Sequence, residues 1–175
     1  FAIADGDVAY AKRMLAAADD AAADNPDVLE LRGDLANAEG RLGEARNLYK
    51  QALKQGPMSA RAIKLAMVER RAGNPDAVST LQAWLADHPD DVAVRLAVAD
   101  AKLSAQDHEA AQGEYEKIIQ IVPENVVALN NLAWLLWQSG NVTAALPHIK
   151  TALELAPESP QVQDTAGIVF LVARD

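Results

Sequence analysis

A chain of 175 residues that is 50% hydrophobic and 23% charged can bury a substantial core, and 5% aromatic content suits a soluble protein. Sixteen Lys and Arg against 25 Asp and Glu leave a net charge of −9, which repels phosphate and argues against a nucleic acid partner. The absence of Cys excludes disulfides, thiolate metal sites and thiol catalysis, and no apolar run approaches the roughly 20 residues of a membrane span.

In chain order the predicted elements are all helices, because apolar residues recur at three and four and no alternating β-branched run competes. A lone helix is expected over residues 7–22. Four helix pairs follow at 26–58, 59–91, 92–125 and 126–159, and a last helix occupies 160–173, making about ten helices in one array over 1–175. The second helices end alike: Tyr49-Lys50-Gln51-Ala52-Leu53, Leu81-Gln82-Ala83-Trp84-Leu85, Tyr115-Glu116-Lys117-Ile118-Ile119 and Ile149-Lys150-Thr151-Ala152-Leu153. The prolines behind them, Pro57, Pro89, Pro123 and Pro157, are spaced by 32, 34 and 34 residues. A fixed period of this size marks a repeat architecture.

Local signals set the helix ends. Asn25-Pro26, Asn74-Pro75 and Ser159-Pro160 place a capping side chain before a proline suited to a first turn, and Asn141 follows the break at Gly140. The formal glycosylation sequon at Asn141-Val142-Thr143 is read as such a cap. The two residues missing from the second pair are assigned to the turn at Gly73-Asn74-Pro75. Gly113 inside a helix is expected to cost about 1 kcal/mol, and Pro147 lies near enough to its helix start to be tolerated. Because the chain opens with Phe1 and shows no secretory signal, it reads as a piece of a longer protein whose end helices act as makeshift caps.

The register within each pair resembles that of the tetratricopeptide repeat (TPR) family, over essentially the whole chain. The small residue where the two helices cross is supplied by Gly33, Ala66, Ala99, Ala133 and Gly167. Ala11, Ala45, Ala77, Ala111 and Ala145 open the second helices, and Leu15, Tyr49, Leu81, Tyr115 and Ile149 follow four residues later. Ala18, Ala52 and Ala152 match the next small position, whereas Trp84 and Ile118 depart from it. Ala93 and Ala97 are expected to make room for Trp84. The resemblance implies an all-α fold, a right-handed α-α solenoid in which each pair hides its neighbour's apolar face.

A narrower likeness rests on the stretch from Ala128 to Leu136 and on Asp164-Thr165-Ala166-Gly167. It is similar to bacterial envelope TPR lipoproteins of exosortase/PEP-CTERM and exopolysaccharide systems. This likeness implies a scaffold in polysaccharide or protein export, periplasmic or envelope-associated rather than cytoplasmic. The alternatives are a co-chaperone or pilus-assembly type TPR protein, and a regulatory TPR domain of a larger enzyme such as a glycosyltransferase.

No enzyme is expected. His108-Glu109-Ala110-Ala111-Gln112 lacks the second His of a helical zinc pair, and His88 and His148 fall in other repeats. Asp164-Thr165 opens a helix rather than sitting in a protease loop, and neither a phosphate-binding Gly-rich loop nor a nucleophile elbow is present. No cofactor is called for.

In the TPR family the first helices line a concave groove, so the resemblance makes their core-opposite positions the candidate contacts for a protein or peptide. These are Glu30, Asp34 and Asn37, an acidic panel; Ile63, Lys64, Met67, Arg70 and Arg71, apolar with a basic edge; Leu96, Asp100 and Leu103; Asn130, Asn131, Trp134, Trp137 and Gln138; and Ile168 and Leu171. Asn can pair with a peptide backbone and Trp offers a large rigid contact. The competing reading packs Trp134 and Trp137 against the last helix. A clamp for chaperone tails is disfavoured, since Glu30 and Asp34 would repel a carboxylate and only Asn131 fits. End-to-end self-association through exposed apolar faces is a further expectation.

Overall fold

The computed structural model describes residues 12–15, 24–74 and 77–173. Among them every regular element is an α-helix: α1 (Pro26–Ala38), α2 (Leu42–Gln55), α3 (Ser59–Arg71), α4 (Ala77–Asp87), α5 (Val92–Ser104), α6 (His108–Ile121), α7 (Val126–Gln138), α8 (Val142–Leu155) and α9 (Pro160–Val172). Residues 12–15 are helical as well, and the rest of the helix expected over 7–22 lies outside the described residues. The chain forms two compact units, residues 1–94 and 95–175, the boundary falling inside α5.

Capping explains four of the starts. The side-chain oxygens of Asn25 and Asn125 accept from the backbone N–H of Asp27 and Ala128 at 2.8 and 2.9 Å, and Asp107 and Asn141 cap α6 and α8 at 3.3 Å. Ser159 does not cap α9; its hydroxyl turns to Gln161 Oε1 at 3.2 Å, leaving Pro160 to set the first turn. Pro75 lies outside the described residues. Pro147 is accommodated near the start of α8.

Three of the turns inside pairs hold a glycine with positive φ, Gly40, Gly73 and Gly140, at 78, 71 and 83°. Gln106 takes the same place in the third pair with φ 59°, a conformation that glycine adopts without strain. The two residues missing from the second pair are not both lost at Gly73-Asn74-Pro75. One is lost there, since Gly73 precedes the buried Ala77 by four positions where Gly40 precedes Ala45 by five. The other is lost from the linker 56–58, which has three residues where 88–91, 122–125 and 156–159 have four.

In the first unit α1 packs on α2, α2 on α3 and α3 on α4. Its core holds Ala36, Ala45, Tyr49, Leu65 and Val68, with Leu42, Leu48 and Leu53 against them. Gly33 is required by a close approach: a Cβ there would stand 2.6 Å from the Tyr49 ring. In the second unit α6 packs on α7, α7 on α8 and α9, and α8 on α9. Tyr115, Ile118, Leu132, Ala133, Ile149, Val162 and Val169 are buried there.

Two positions depart from the repeated register. Trp84 is only half-buried; its indole N–H donates to Asp91 Oδ2 at 2.8 Å and its ring stacks on His88 at 4.1 Å, while Ala93 is exposed. The bulky side chain thus has polar neighbours within its own unit. Gly167 is exposed, and nothing lies within 4 Å of where its Cβ would be.

Candidate partner-binding surface

The first-helix residues behave differently in the two units. In the first, the acidic panel of α1 and the basic edge of α3 close on each other. Lys64 Nζ donates to Glu30 Oε1 at 2.6 Å and Asp34 Oδ2 at 2.7 Å. Arg71 Nη1 reaches the carbonyl and the side-chain oxygen of Asn37 at 2.9 and 2.8 Å. The Tyr49 hydroxyl donates to Asp34 Oδ1 at 2.7 Å. Burial raises the Glu30 carboxyl, but the Lys64 ammonium and Arg61 guanidinium outweigh it and hold its pKa below the usual 4.5. Burial likewise lowers Lys64, and Asp34 and Glu30 more than restore it. Burial first, and then the Asp34 carboxylate, push the Tyr49 hydroxyl far above its ordinary range. Lys64 and Arg71 are therefore occupied within the unit, while Ile63 stays half-buried and Met67 and Arg70 exposed.

Two buried charges in this unit escaped the sequence reading. Arg61, 3% exposed, donates through Nε to Glu30 at 2.9 Å and through Nη1 to the Gly56 carbonyl at 2.7 Å, and it pairs with Asp27. Its guanidinium fills the space a Cβ at Gly56 would need. Glu69 accepts from Arg46 Nε at 3.0 Å and from the Thr80 hydroxyl at 2.8 Å, tying α2, α3 and α4 together. A signal for the first set was present: Asp27 with Arg61, Glu30 with Lys64 and Asn37 with Arg71 are each 34 residues apart, one more than the 33 that separate Gly33 from Ala66.

The second unit solves the same position without a cation. Tyr115 OH lies 3.5 Å from Asp100 Oδ1, and Asn131 Nδ2 donates to the Tyr115 hydroxyl at 3.0 Å. Asn130 Nδ2 donates to Asn131 Oδ1 at 3.3 Å, leaving the buried Asn130 Oδ1 without a hydrogen bond among the described residues. Burial pushes the Tyr115 hydroxyl up to about 12, against the Asn131 bond and with the Asp100 charge. Trp134 meets the His108 ring of α6 edge-on at 6.1 Å. Leu96, Asn130, Asn131, Trp134 and Trp137 are half-buried, and Ile168 and Leu171 are 39% and 69% exposed. Asp100 is exposed, and Arg95 pairs away from it, with Glu114 at 2.6 Å.

Other chemistry is sparse. No group of His, Asp and Glu among the described residues could hold a metal ion. His148 is lowered by burial, partly offset by the Glu116 carboxylate. A cleft of about 490 Å³ lies between α6 and the end of α7, lined by His108, Glu109, Gln112, Glu116, Leu135 and Gln138 among others, and it shares only Gln138 with the predicted groove. Among the described residues no helix is long and apolar enough to cross a membrane.

Comparison with known proteins gives this geometry a context. Two family models, both described as tetratricopeptide repeat, match residues 63–126 and 102–166, together more than half of the chain. No curated protein sequence matches. Among solved structures the chain is similar to a tetratricopeptide repeat protein from Parabacteroides merdae, at 21% identity and a TM-score of 0.72, covering 82% of this chain and 58% of that one. It thus spans less than two thirds of that relative. It is also similar to YrrB, described as a TPR protein with an unusual peptide-binding site, at 17% identity, TM-score 0.68, and coverage of 93% and 86%. MamA from Desulfovibrio magneticus RS-1 is similar at 19% identity, TM-score 0.67, and 89% coverage of each chain. At these identities the likeness is one of fold, an α-solenoid of helix pairs. The chain belongs to the tetratricopeptide repeat family.

Proposed function

We infer that this chain is a non-catalytic protein-interaction scaffold, and that it binds a peptide or partner segment along the first helices of its second unit. The observation that carries the reading is the contrast at Asn131. Where Lys64 is consumed by Glu30 and Asp34, Asn131 makes neutral bonds to Tyr115 and Asn130 and sits beside Trp134. A half-buried Asn–Trp stripe flanked by the exposed Ile168 and Leu171 offers both amide pairing and apolar area to a segment laid across it. The exposed Asp100 and Asp164 favour a segment that brings cations with its apolar side chains. YrrB supplies a precedent for a peptide as the class of ligand on this fold.

The placement in bacterial exopolysaccharide or protein export, at the envelope, is part of the proposal and rests on the sequence likeness around Ala128–Leu136. Peptides selected from a random display library on the full chain test the binding surface. Titrating them into Trp137→Ala and Asn131→Ala is expected to weaken binding about tenfold or more, on the order of 1.4 kcal/mol. Unchanged affinity in both variants, with the fold intact by circular dichroism, would place the ligand elsewhere.

A further inference from the structure

Gly113 sits in the middle of α6, where glycine is unfavourable relative to alanine, and the fold does not require it there. Its φ is not positive, and a Cβ would meet nothing within 4 Å. The space it leaves open belongs to the cleft of about 490 Å³ between α6 and the end of α7. The buried Leu135 gives this cleft an apolar wall. Glu109 and Glu116, both exposed, line it two helical turns apart on α6, with Gly113 between them. In chain order the cleft lies between the third and fourth pairs, with α5 before it and α8 and α9 after it.

The negative charge of the cleft is not met from within. Gln112 Nε2 donates to Glu116 Oε1 at 2.8 Å, which leaves the other Glu116 oxygen and the whole Glu109 carboxylate open among the described residues. The cations of α5 and α6 are committed elsewhere, Arg95 and Lys117 to Glu114 and Lys102 to Asp107, and α7 carries no Lys or Arg. No ion pair among the described residues includes Glu109, Glu116 or Lys150 of α8. His148, which feels the Glu116 carboxylate, is lowered by burial and is neutral at pH 7.

The equivalent place in the first unit holds an arginine of the chain itself. Arg46 follows the buried Ala45 as Gln112 follows the buried Ala111, and its Nε crosses to α3 to donate to the buried Glu69 at 3.0 Å. In the second unit Gln112 turns along its own helix instead, and Leu136 stands where Glu69 does. The repeat thus keeps a place for a guanidinium and supplies none.

We propose that this cleft seats an arginine side chain of a partner protein. Its methylene stem lies along Leu135 and the Gly113 backbone, and its guanidinium is held by Glu109 and Glu116. The site shares only Gln138 with the groove panels and does not use Asn131, so it can stand or fall apart from the proposed peptide surface.

The test is a titration of the isotope-labelled 175-residue chain, followed by the backbone amide NMR signals of Gln112, Gly113 and Ser139. The probes are N-acetylarginine amide, its neutral citrulline counterpart and spermidine. The arginine probe should give saturable shifts at about millimolar affinity, and the citrulline probe should bind about tenfold more weakly or worse. Glu109→Gln removes charge, and Gly113→Leu fills the cleft from a position where nothing stands in the way of a Cβ. Each should weaken the arginine probe about tenfold, with the fold checked by circular dichroism. No saturable shift overturns the proposal, as does equal binding of the arginine and citrulline probes. Undiminished binding in a folded Gly113→Leu variant overturns it too. Spermidine bound more tightly than the arginine probe would make the ligand a free polyamine and overturn the assignment to a protein side chain.

Discussion

Tyr49 and Tyr115 occupy the same place two repeats apart, and both point a hydroxyl at an aspartate fifteen residues earlier. What differs is the residue that the next first helix brings. Lys64 turns the first site into an ionic knot with Glu30 and Asp34, whereas Asn131 leaves the second without a cation, with Asp100 exposed. Identical scaffolding therefore yields one face that satisfies itself and another that keeps apolar area and amides available.

The largest effect should come from Arg61. Replacing it with Met removes a buried cation that ties Asp27, Glu30 and the Gly56 carbonyl, and about 3 kcal/mol of stability should be lost in denaturant unfolding. A loss below about 1 kcal/mol would mark the network as surface-like. Next comes the pair that sets the two units apart. Lys64→Met leaves Asp34 and Glu30 short of a counterion and should cost about 2 kcal/mol, while Asn131→Leu should cost about 1 kcal/mol or less. Equal losses would erase the distinction drawn here.

How much of this was legible beforehand follows the kind of interaction. The helix pairs, their caps at Asn25 and Asn141 and the small-residue positions at Gly33, Ala66, Ala99 and Ala133 were visible, because periodicity and backbone sterics are local. The groove panels were legible as positions only. Each panel was read alone, so the pairing of Glu30 with Lys64 across one period was missed, as was the burial of Arg61 and Glu69. At Trp84 a volume argument was incomplete, because it ignores the polar edge that meets Asp91 and the ring that stacks on His88.

Smaller effects sharpen the comparison between equivalent glycines. Gly33→Ala drives a methyl into the Tyr49 ring and should cost about 1–2 kcal/mol, even after a helix-propensity gain. Gly167→Ala meets nothing and should stabilise by about 0.5–1 kcal/mol, measured in dilute solution.

The smallest effect is the acid response. His148, lowered by burial, contributes stability that is complete above its ordinary 6.5 and is lost as pH falls through its folded value. Glu30, lowered by Lys64 and Arg61 against its burial, contributes stability present above 4.5 and lost at more acid pH. Unfolding followed against pH should thus weaken the second unit first and the first unit later. His148→Gln should remove the earlier phase and leave the later one.

Hydrogen exchange on the full chain, with and without a display-selected peptide, tests most directly whether the face around Asn131 is the one that binds. Protection is expected in α7 and α9, around Asn130, Trp134 and Ile168, with α1 and α3 unchanged. Protection confined to α1 and α3 would show that the ionic face opens to receive the ligand, and would contradict the account.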